Sequence, residues 1–265
     1  MQFTILGCGH SGGVPMVGLG WGNCDPNNHK NRRSRCSLLV ERVMSNGRTT
    51  VLVDTSPDMR EQLLNAEVDK VDGVLFTHDH ADHTHGIDDL RPLGYRQQKQ
   101  IDIYVDELTS RALHERFEYC FSSPPGSEYP PIVTEHRLVA GKSVVIDGDG
   151  GPIEVLPLAH EHGSNQSLGF RFGGLVYSPD VNGFPGKTLP SLENLKVWIL
   201  DALRYRAHPS HFSVDESLRW LARMKPKRGI LTNLHSDIDF DTLHPSLPNG
   251  VELAYDGLKI TFACQ

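Results

Sequence analysis

The feature that most constrains this chain is the run His78-Asp79-His80-Ala81-Asp82-His83, which is separated by one residue from an apolar segment at residues 74–76. Three imidazoles and two carboxylates in six positions cannot all share one face of a regular strand or helix. A turn at the end of a strand must therefore bring them to one point. Imidazole nitrogens and carboxylate oxygens suit zinc, manganese or iron. The run predicts a metal site.

Composition indicates an ordinary globular chain. Of the 265 residues, 38% are hydrophobic and 8% aromatic, and we predict a single domain over residues 1–265. The 26 basic and 33 acidic residues give a net charge of -7, which argues against an extended nucleic-acid surface. No segment reaches the roughly 20 apolar residues that cross a bilayer, and no basic leader is present. We expect a cytoplasmic protein without a membrane partner.

The cysteines support the same compartment. They are odd in number and scattered along the chain, at Cys8, Cys24, Cys36, Cys120 and Cys264. Such a set fits reduced thiols better than a disulfide framework.

Short apolar runs recur and predict strands. They cover residues 3–6, 37–40, 51–53, 74–76, 101–105, 144–146, 153–158, 175–177, 197–200 and 230–231. Three segments predict helices from their start signals, which are Ser56-Pro57, Asp106 before residues 108–121, and the capping box Ser213-Val214-Asp215-Glu216. Strands outnumber helices, so we expect a sheet core with helices outside it.

Further ligands are needed, because a two-metal hydrolytic site requires more groups than one motif supplies, including one that bridges both ions. Three later segments repeat the same local pattern of an apolar strand followed by a ligand type. They lead to His160 and His162, to Asp180, and to His235. His160 and His162 are separated by one residue and compete for the same position, and both remain candidates on this evidence.

These motifs resemble those of the metallo-β-lactamase superfamily. The signature HxHxDH of that superfamily corresponds here to His78, His80, Asp82 and His83. The later ligands of the superfamily match His162, which precedes Gly163, then Asp180 and His235. The resemblance implies an α/β fold, namely a four-layer α/β/β/α sandwich with two divalent metal ions, zinc or manganese, at one edge.

Within the superfamily, the chain resembles the phosphodiesterases that include phosphoribosyl cyclic phosphate phosphodiesterase, and more distantly the transfer-RNA 3′-processing endonucleases. The glycine-rich residues 6–15, residues 32–37, residues 167–170 and His211 carry this likeness. The chain differs from these relatives in two features. Only Cys24 stands where that phosphodiesterase has an accessory zinc site with several cysteines, so that site is not expected. The long arm that grips transfer RNA is absent as well.

The resemblance implies which ligands would hold each of the two metal ions. His78, His80 and His162 would hold one metal, Asp82, His83 and His235 the other, and Asp180 would bridge them. A metal-bridging hydroxide would attack a small cyclic phosphate or nucleotide phosphodiester. His211 and Asp82 are the predicted catalytic residues, with His211 donating a hydrogen bond or proton to the phosphate or leaving group. The resemblance also implies homodimerisation.

Several alternatives stay open. A thioester or lactam hydrolase of the same fold, a transfer-RNA processing nuclease, or a metal- and nucleotide-binding domain without activity would carry similar motifs. Asp54 is either an acceptor for a ligand imidazole or a plain turn residue. The basic residues between Lys30 and Arg35 either receive a substrate phosphate or form a solvated cluster. His10, in the glycine-rich turn, has no assigned role.

Overall fold

Two seven-stranded sheets form the centre of the computed structural model, which describes residues 1–123 and 125–262. Cys264 lies outside the described residues. Across the first sheet the strands are β14 (Lys259–Thr261), β1 (Gln2–Gly7), β2 (Ser37–Met44), β3 (Gly47–Val53), β4 (Gly73–Leu75), β5 (Ile101–Val105) and β6 (Val133–Arg137). Across the second they are β13 (Val251–Leu253), β12 (Arg228–Thr232), β11 (Val197–Asp201), β10 (Leu175–Ser178), β9 (Asn165–Phe172), β8 (Ile153–His162) and β7 (Val144–Ile146).

Helices cover the outer faces of both sheets. They are α1 (Met59–Asn65), α2 (Ala81–Thr84), α3 (Arg91–Gln97), α4 (Glu107–Phe121), α5 (Val214–Met224) and α6 (Phe240–Leu243). Short 3-10 turns lie at His29–Asn31, Ile87–Leu90, Gly186–Leu192 and His244–Ser246. The expected four-layer α/β/β/α sandwich is confirmed.

The alternation of side chains between the two faces of each strand explains the layered arrangement of sheets and helices. In β11, Val197 and Ile199 enter the core between the two sheets, whereas Trp198 and Leu200 pack in the core beneath α5. In β2, Leu39 faces the third core, under α1, α3 and α4. Because successive side chains of a strand point to opposite faces, strands that are apolar on both faces must be covered on both.

The sequence missed four strands, β6, β9, β13 and β14. Two of them, β13 and β14, are three-residue edge strands, and β6 is an edge strand whose burial is confined to its first residue. Strand β9 begins with polar residues but pairs along its length with β8. Pairing with a neighbouring strand, which local apolarity does not report, decides these cases.

The predicted helix starts are confirmed in two of three cases. Ser213 and Glu216 form both halves of the capping box at α5, and Asp106 accepts the Thr109 N–H at 2.8 Å at the start of α4. The helix expected from Ser56-Pro57 begins later, at Met59. Ser56 Oγ instead accepts the Asp58 N–H at 3.1 Å, and Ser56 therefore lies in the loop before α1.

Candidate metal centre

The signature run lies where strand β4 ends and the short helix α2 begins. His78 and His83 are almost fully buried, and His80 is the residue before α2. The turn that joins the strand to the helix therefore brings the crowded side chains together, as the sequence required. Other polar residues follow the carboxyl ends of β3, β8, β10 and β11, so one edge of the two sheets collects them.

One group of ligand types contains His78, His80, His162 and Asp180, whose candidate atoms all lie within 4.8 Å of one another. His162 Nε2 is 3.4 Å from His80 Nδ1. The Nε2 atoms of His78 and His162 are each 3.8 Å from Asp180 Oδ2. This first group offers three imidazoles and one carboxylate.

A second group contains Asp82, His83 and Asp180. His83 Nε2 is 3.3 Å from Asp82 Oδ2 and 3.2 Å from Asp180 Oδ1. Asp180 thus presents Oδ2 to the first group and Oδ1 to the second. A carboxylate shared in this way has the geometry needed to bridge two cations.

The protonation of His78 and His162 fits metal ligation. His78 Nε2 is buried and has no hydrogen-bond partner among the described residues. Burial, together with the neighbouring His83, lowers the pKa of His78 well below its usual range, which favours a free lone pair. His162 Nδ1 donates to the Ser210 carbonyl at 2.7 Å, which turns its Nε2 lone pair toward Asp180. Nitrogen and oxygen donors of this kind suit zinc or manganese.

Excess negative charge also indicates cations. Burial opposes protonation of His83, yet Asp180 and Asp82 raise its pKa well above the usual range. Several buried carboxylates at one point repel each other unless positive charge accompanies them. Bound divalent ions would supply that charge.

Asp54 orients His83 through Nδ1, the ring nitrogen that does not face the ligand group. Its Oδ2 lies 2.7 Å from His83 Nδ1, and its Oδ1 accepts the Thr77 N–H at 2.8 Å. The backbone of Asp54 has a φ of 64°, a conformation that Asp and Asn adopt more easily than most residues. The carboxylate therefore holds the imidazole with its Nε2 toward Asp82 and Asp180, which supports the acceptor role considered for Asp54.

The structure separates the two competing histidines. His162 belongs to the first group, whereas the ring of His160 packs against Phe184 and lies 3.4 Å, through Nε2, from Ser178 Oγ. A side chain added at Gly169 would collide with the His160 ring, so this histidine is enclosed by the core. These contacts support His162 as the ligand.

His235 is placed differently from the other predicted ligands. It belongs to neither of the two groups formed within residues 1–123 and 125–262. The side chain that β12 delivers beside Asp180 is Asn233, whose Nδ2 is 3.3 Å from Asp180 Oδ1 and 3.1 Å from the Pro179 carbonyl. Asn233 directly follows the strand, but an amide is not a conspicuous ligand type, so sequence reasoning passed over it.

His211 faces the shared carboxylate from another side. Its Nε2 is 3.9 Å from Asp180 Oδ2, and its Nδ1 is 2.7 Å from Asp201 Oδ2. Burial opposes protonation of His211, but Asp201 raises its pKa to about 9. The sequence missed Asp201, although it ends an apolar strand in the same manner as the predicted ligands.

The basic residues between 30 and 35 have partners within the protein. Lys30 lies over the ring of Phe240, and Arg35 Nε is 2.8 Å from Asp58 Oδ2. Arg33 is 1% exposed and donates to the His235 carbonyl at 3.2 Å. These contacts explain most of the run as structural, and Arg32 stays exposed.

Comparison with known proteins identifies the family. The family model described as beta-lactamase superfamily domain matches residues 49–233, which is more than half of the chain. The chain belongs to this superfamily, and it is a metal-dependent hydrolase of the metallo-β-lactamase fold. No helix among residues 1–123 and 125–262 is both long and apolar enough to cross a membrane.

Individual relatives agree with the fold. The chain is 33% identical to a structure described as a new diphosphatase from the PhnP family, over 99% of this chain and 98% of that one, with a TM-score of 0.87. Zinc-bound PqqB from Methylobacterium extorquens is 15% identical, with coverage of 99% and 100% and a TM-score of 0.75. The short form of human tRNase Z is 17% identical, with full coverage of both chains and a TM-score of 0.66.

One curated relative is longer than this chain. An octanoyltransferase from Porphyromonas gingivalis (strain ATCC BAA-308 / W83) is 28% identical over 263 residues, which is 98% of this chain and 51% of the relative. The chain therefore spans about half the length of the curated relative it matches.

The Asp54 contact generates a prediction. Asp54→Asn should lower metal affinity by about 10–100-fold, because the amide binds the His83 imidazole less strongly than a carboxylate does. Asn also tolerates the positive φ, so the fold should persist. Competition with a chromophoric zinc chelator measures the affinity. Asp72→Asn is the control, since Asp72 is also buried but contacts the Thr50 N–H and Lys70, outside both groups. Equal affinity in both variants would contradict the assigned contact.

Proposed function

We propose that the protein hydrolyses a phosphodiester bond in a small phosphorylated substrate or nucleotide. The observation that carries the proposal is the position of Asp180, whose two oxygens face two ligand groups while His211 approaches from a third side. A phosphate whose oxygens meet both groups would place its leaving group within reach of a protonated imidazole. The net charge of -7 favours a small substrate over an extended nucleic acid.

Two divalent cations, when bound, would activate water at neutral pH and offset the negative charge of the phosphate. The residues of the chain supply orientation and proton transfer. Asp54 fixes His83, and the Ser210 carbonyl fixes His162, so the ligand atoms are set before substrate arrives. Asp201 holds the His211 ring with Nε2 directed inward, where it can donate to the leaving oxygen. Asp82, predicted as ligand and catalytic residue, belongs to the ligand group.

The two groups suit different ions. The first combines three imidazoles with one carboxylate, a set that zinc accepts. The second has one imidazole and two carboxylates, with the Asn233 amide beside Asp180 where a further imidazole would complete it. Oxygen-rich sets favour harder ions such as manganese. We therefore assign zinc to the first position and manganese to the second.

A second candidate is hydrolysis of a diphosphate. The relative that shares 33% identity over 99% of this chain is described as a diphosphatase. The same ligand groups would serve that reaction, since a phosphoryl centre is attacked in both cases. Homodimerisation and a cytoplasmic location stay predictions.

A panel of substrates tests the proposed function. The metal-loaded protein should hydrolyse bis-p-nitrophenyl phosphate and a cyclic nucleotide, and it should leave a thioester and a chromogenic lactam nearly unchanged. Initial rates measured with zinc, with manganese and with both ions would separate these classes. Thioester or lactam turnover that exceeds phosphodiester turnover would reject the proposal.

The role of His211 gives a prediction that depends on the leaving group. His211→Ala should lower kcat by about 10²–10⁴-fold on a substrate with an alkoxide leaving group, which needs a proton, and by less on a nitrophenyl ester, which leaves readily. Asp201→Asn should show the same difference in weaker form. His85→Ala is the control, because His85 is exposed and packs on Phe117 outside both groups. An equal loss on both esters would instead assign His211 to positioning.

Asn233 gives a prediction about metal preference. Asn233→His should increase the zinc affinity of the second position and lower the ratio of manganese to zinc that the protein retains. An imidazole beside Asp180 adds a nitrogen ligand, whereas Asn233→Ala adds none and serves as the matched control. Elemental analysis after equilibration with equal concentrations of both ions measures the ratio. An unchanged ratio would show that position 233 lies outside the second site.

A further inference from the structure

Two rings of the candidate metal centre lie against each other although they come from distant parts of the chain. The centroids of His162 and His211 are 4.7 Å apart, and the ring planes meet at 76°. His162 ends β8, whereas His211 belongs to residues 204–212 between β11 and α5, which we name the His211 loop. The Nε2 atom of each ring faces Asp180. The distance between these two segments therefore decides how a ligand ring and a candidate proton donor are placed.

Asn182 joins the two segments through its side chain. Its Oδ1 accepts the N–H of Gly163, the residue after the ligand ring, at 3.0 Å. Its Nδ2 donates to the Pro209 carbonyl at 2.7 Å. Pro209 directly precedes Ser210, whose carbonyl orients the ligand ring. One amide thus contacts the turn that follows the ligand and the His211 loop.

The tip of the His211 loop, residues 205–209, has no other hydrogen bond to the rest of the protein in the part of the chain that the structure describes. Arg204 donates to two carbonyls of the tip, and His208 Nδ1 accepts the Ser210 N–H, so these bonds stay inside the loop. The polar contact that fixes the tip to the neighbouring segments is therefore the one made by Asn182.

The backbone around Asn182 is itself fixed on both sides. The Asn182 N–H donates to the Glu161 carbonyl at 2.9 Å, and the Glu161 N–H donates to the Gly183 carbonyl at 2.9 Å. On the other side, the Phe212 N–H donates to the Val181 carbonyl at 2.9 Å. The segment that follows the shared carboxylate thus lies between the end of β8 and the His211 loop, and it holds the amide in place.

The turn after β8 also packs directly on the loop. Gly163 has a φ of 64°, and a Cβ atom added there would lie 2.9 Å from the Ser210 Cβ. Glycine permits both the conformation and the close approach. Because the two backbones touch, a displacement of Pro209 would be transmitted to Ser210 and to the ring that its carbonyl orients.

An amide side chain meets both needs of this position, since it accepts through oxygen and donates through nitrogen. We propose that Asn182 is a positioning residue that sets the placement of His211 relative to the ligand His162. It acts through the His211 loop, so its loss affects proton donation and the orientation of His162 together. This inference rests on the proposed phosphodiester hydrolysis, in which His211 donates to the leaving oxygen.

Asn182→Asp tests the inference. The carboxylate can still accept the Gly163 N–H, but it loses the donor to Pro209 and sets an oxygen against that carbonyl. With both metal ions in excess, we expect kcat to fall by about tenfold or more on an ester with an alkoxide leaving group, and by less than about threefold on a nitrophenyl ester. Asn194→Asp is the matched control, because Asn194 is exposed and precedes β11 at the far end of the sheet.

A double-mutant cycle separates positioning from a general loss of stability. If Asn182 acts through His211, Asn182→Asp should lower kcat on the alkoxide ester by less than about twofold in a protein that already carries His211→Ala. Asn182→Ser is uncharged and can replace one of the two hydrogen bonds, so it should show a smaller loss than Asn182→Asp. This second variant keeps the test decisive if the charged one does not fold.

Metal binding gives a readout that needs no turnover. Asn182→Asp should weaken zinc binding by about threefold to tenfold in competition with a chromophoric chelator, because the Ser210 carbonyl no longer orients His162. Unchanged zinc affinity, an equal loss on both esters, or additive losses in the cycle would each overturn the inference. Weaker zinc binding in a protein that hydrolyses no phosphodiester would reject the proposed function and support the link between Asn182 and His162.

Discussion

The structure depends on the burial of several carboxylates at one sheet edge. Asp180, Asp54 and Asp201 are each at most 3% exposed, and Asp82 lies beside them. Such a concentration of negative charge is unfavourable in a protein interior unless each group is paired. Imidazoles supply part of the pairing here, and divalent cations would supply the rest. The surrounding fold can be understood as a rigid frame that holds this unfavourable cluster in place.

In that frame, three imidazole rings are each oriented by a hydrogen bond to a fixed group of the protein. Asp54 at the end of β3 fixes His83, Asp201 at the end of β11 fixes His211, and the Ser210 carbonyl fixes His162. Each of these three rings therefore uses Nδ1 for orientation and turns Nε2 toward Asp180. Asp54 and Asp201 lie at the ends of strands in the two sheets, which share one apolar core, so packing of that core sets the distance between these two anchors.

How much of this could be predicted from the sequence differs from element to element. The central strands, the capping box at α5 and the crowded signature were predictable. Short apolar runs, helix start signals and clustered ligand residues identify them from the local sequence. The edge strands β13 and β14 were not, since pairing across the sheet stabilises them. At the centre, the pattern of strand followed by donor led to His162 and Asp180. It also led to His235, which stays a prediction, and it did not single out Asn233, the side chain that directly follows β12 and contacts Asp180.

Asn233 and His235 belong to one segment but are placed differently: Asn233 Nδ2 lies 3.3 Å from Asp180 Oδ1, whereas His235 is in neither ligand group formed by residues 1–123 and 125–262. The Nδ1 atom of His235 lies 3.2 Å from the Asp237 N–H and 3.3 Å from Asp237 Oδ1, so either tautomer of the ring has a partner there. Asn233 places an amide beside Asp180, while the rings of His10 and His235 lie 4.5 Å apart and the buried Arg33 donates to the His235 carbonyl. A change of side chain at position 233 would therefore alter the donors around Asp180 without altering the strand that carries them.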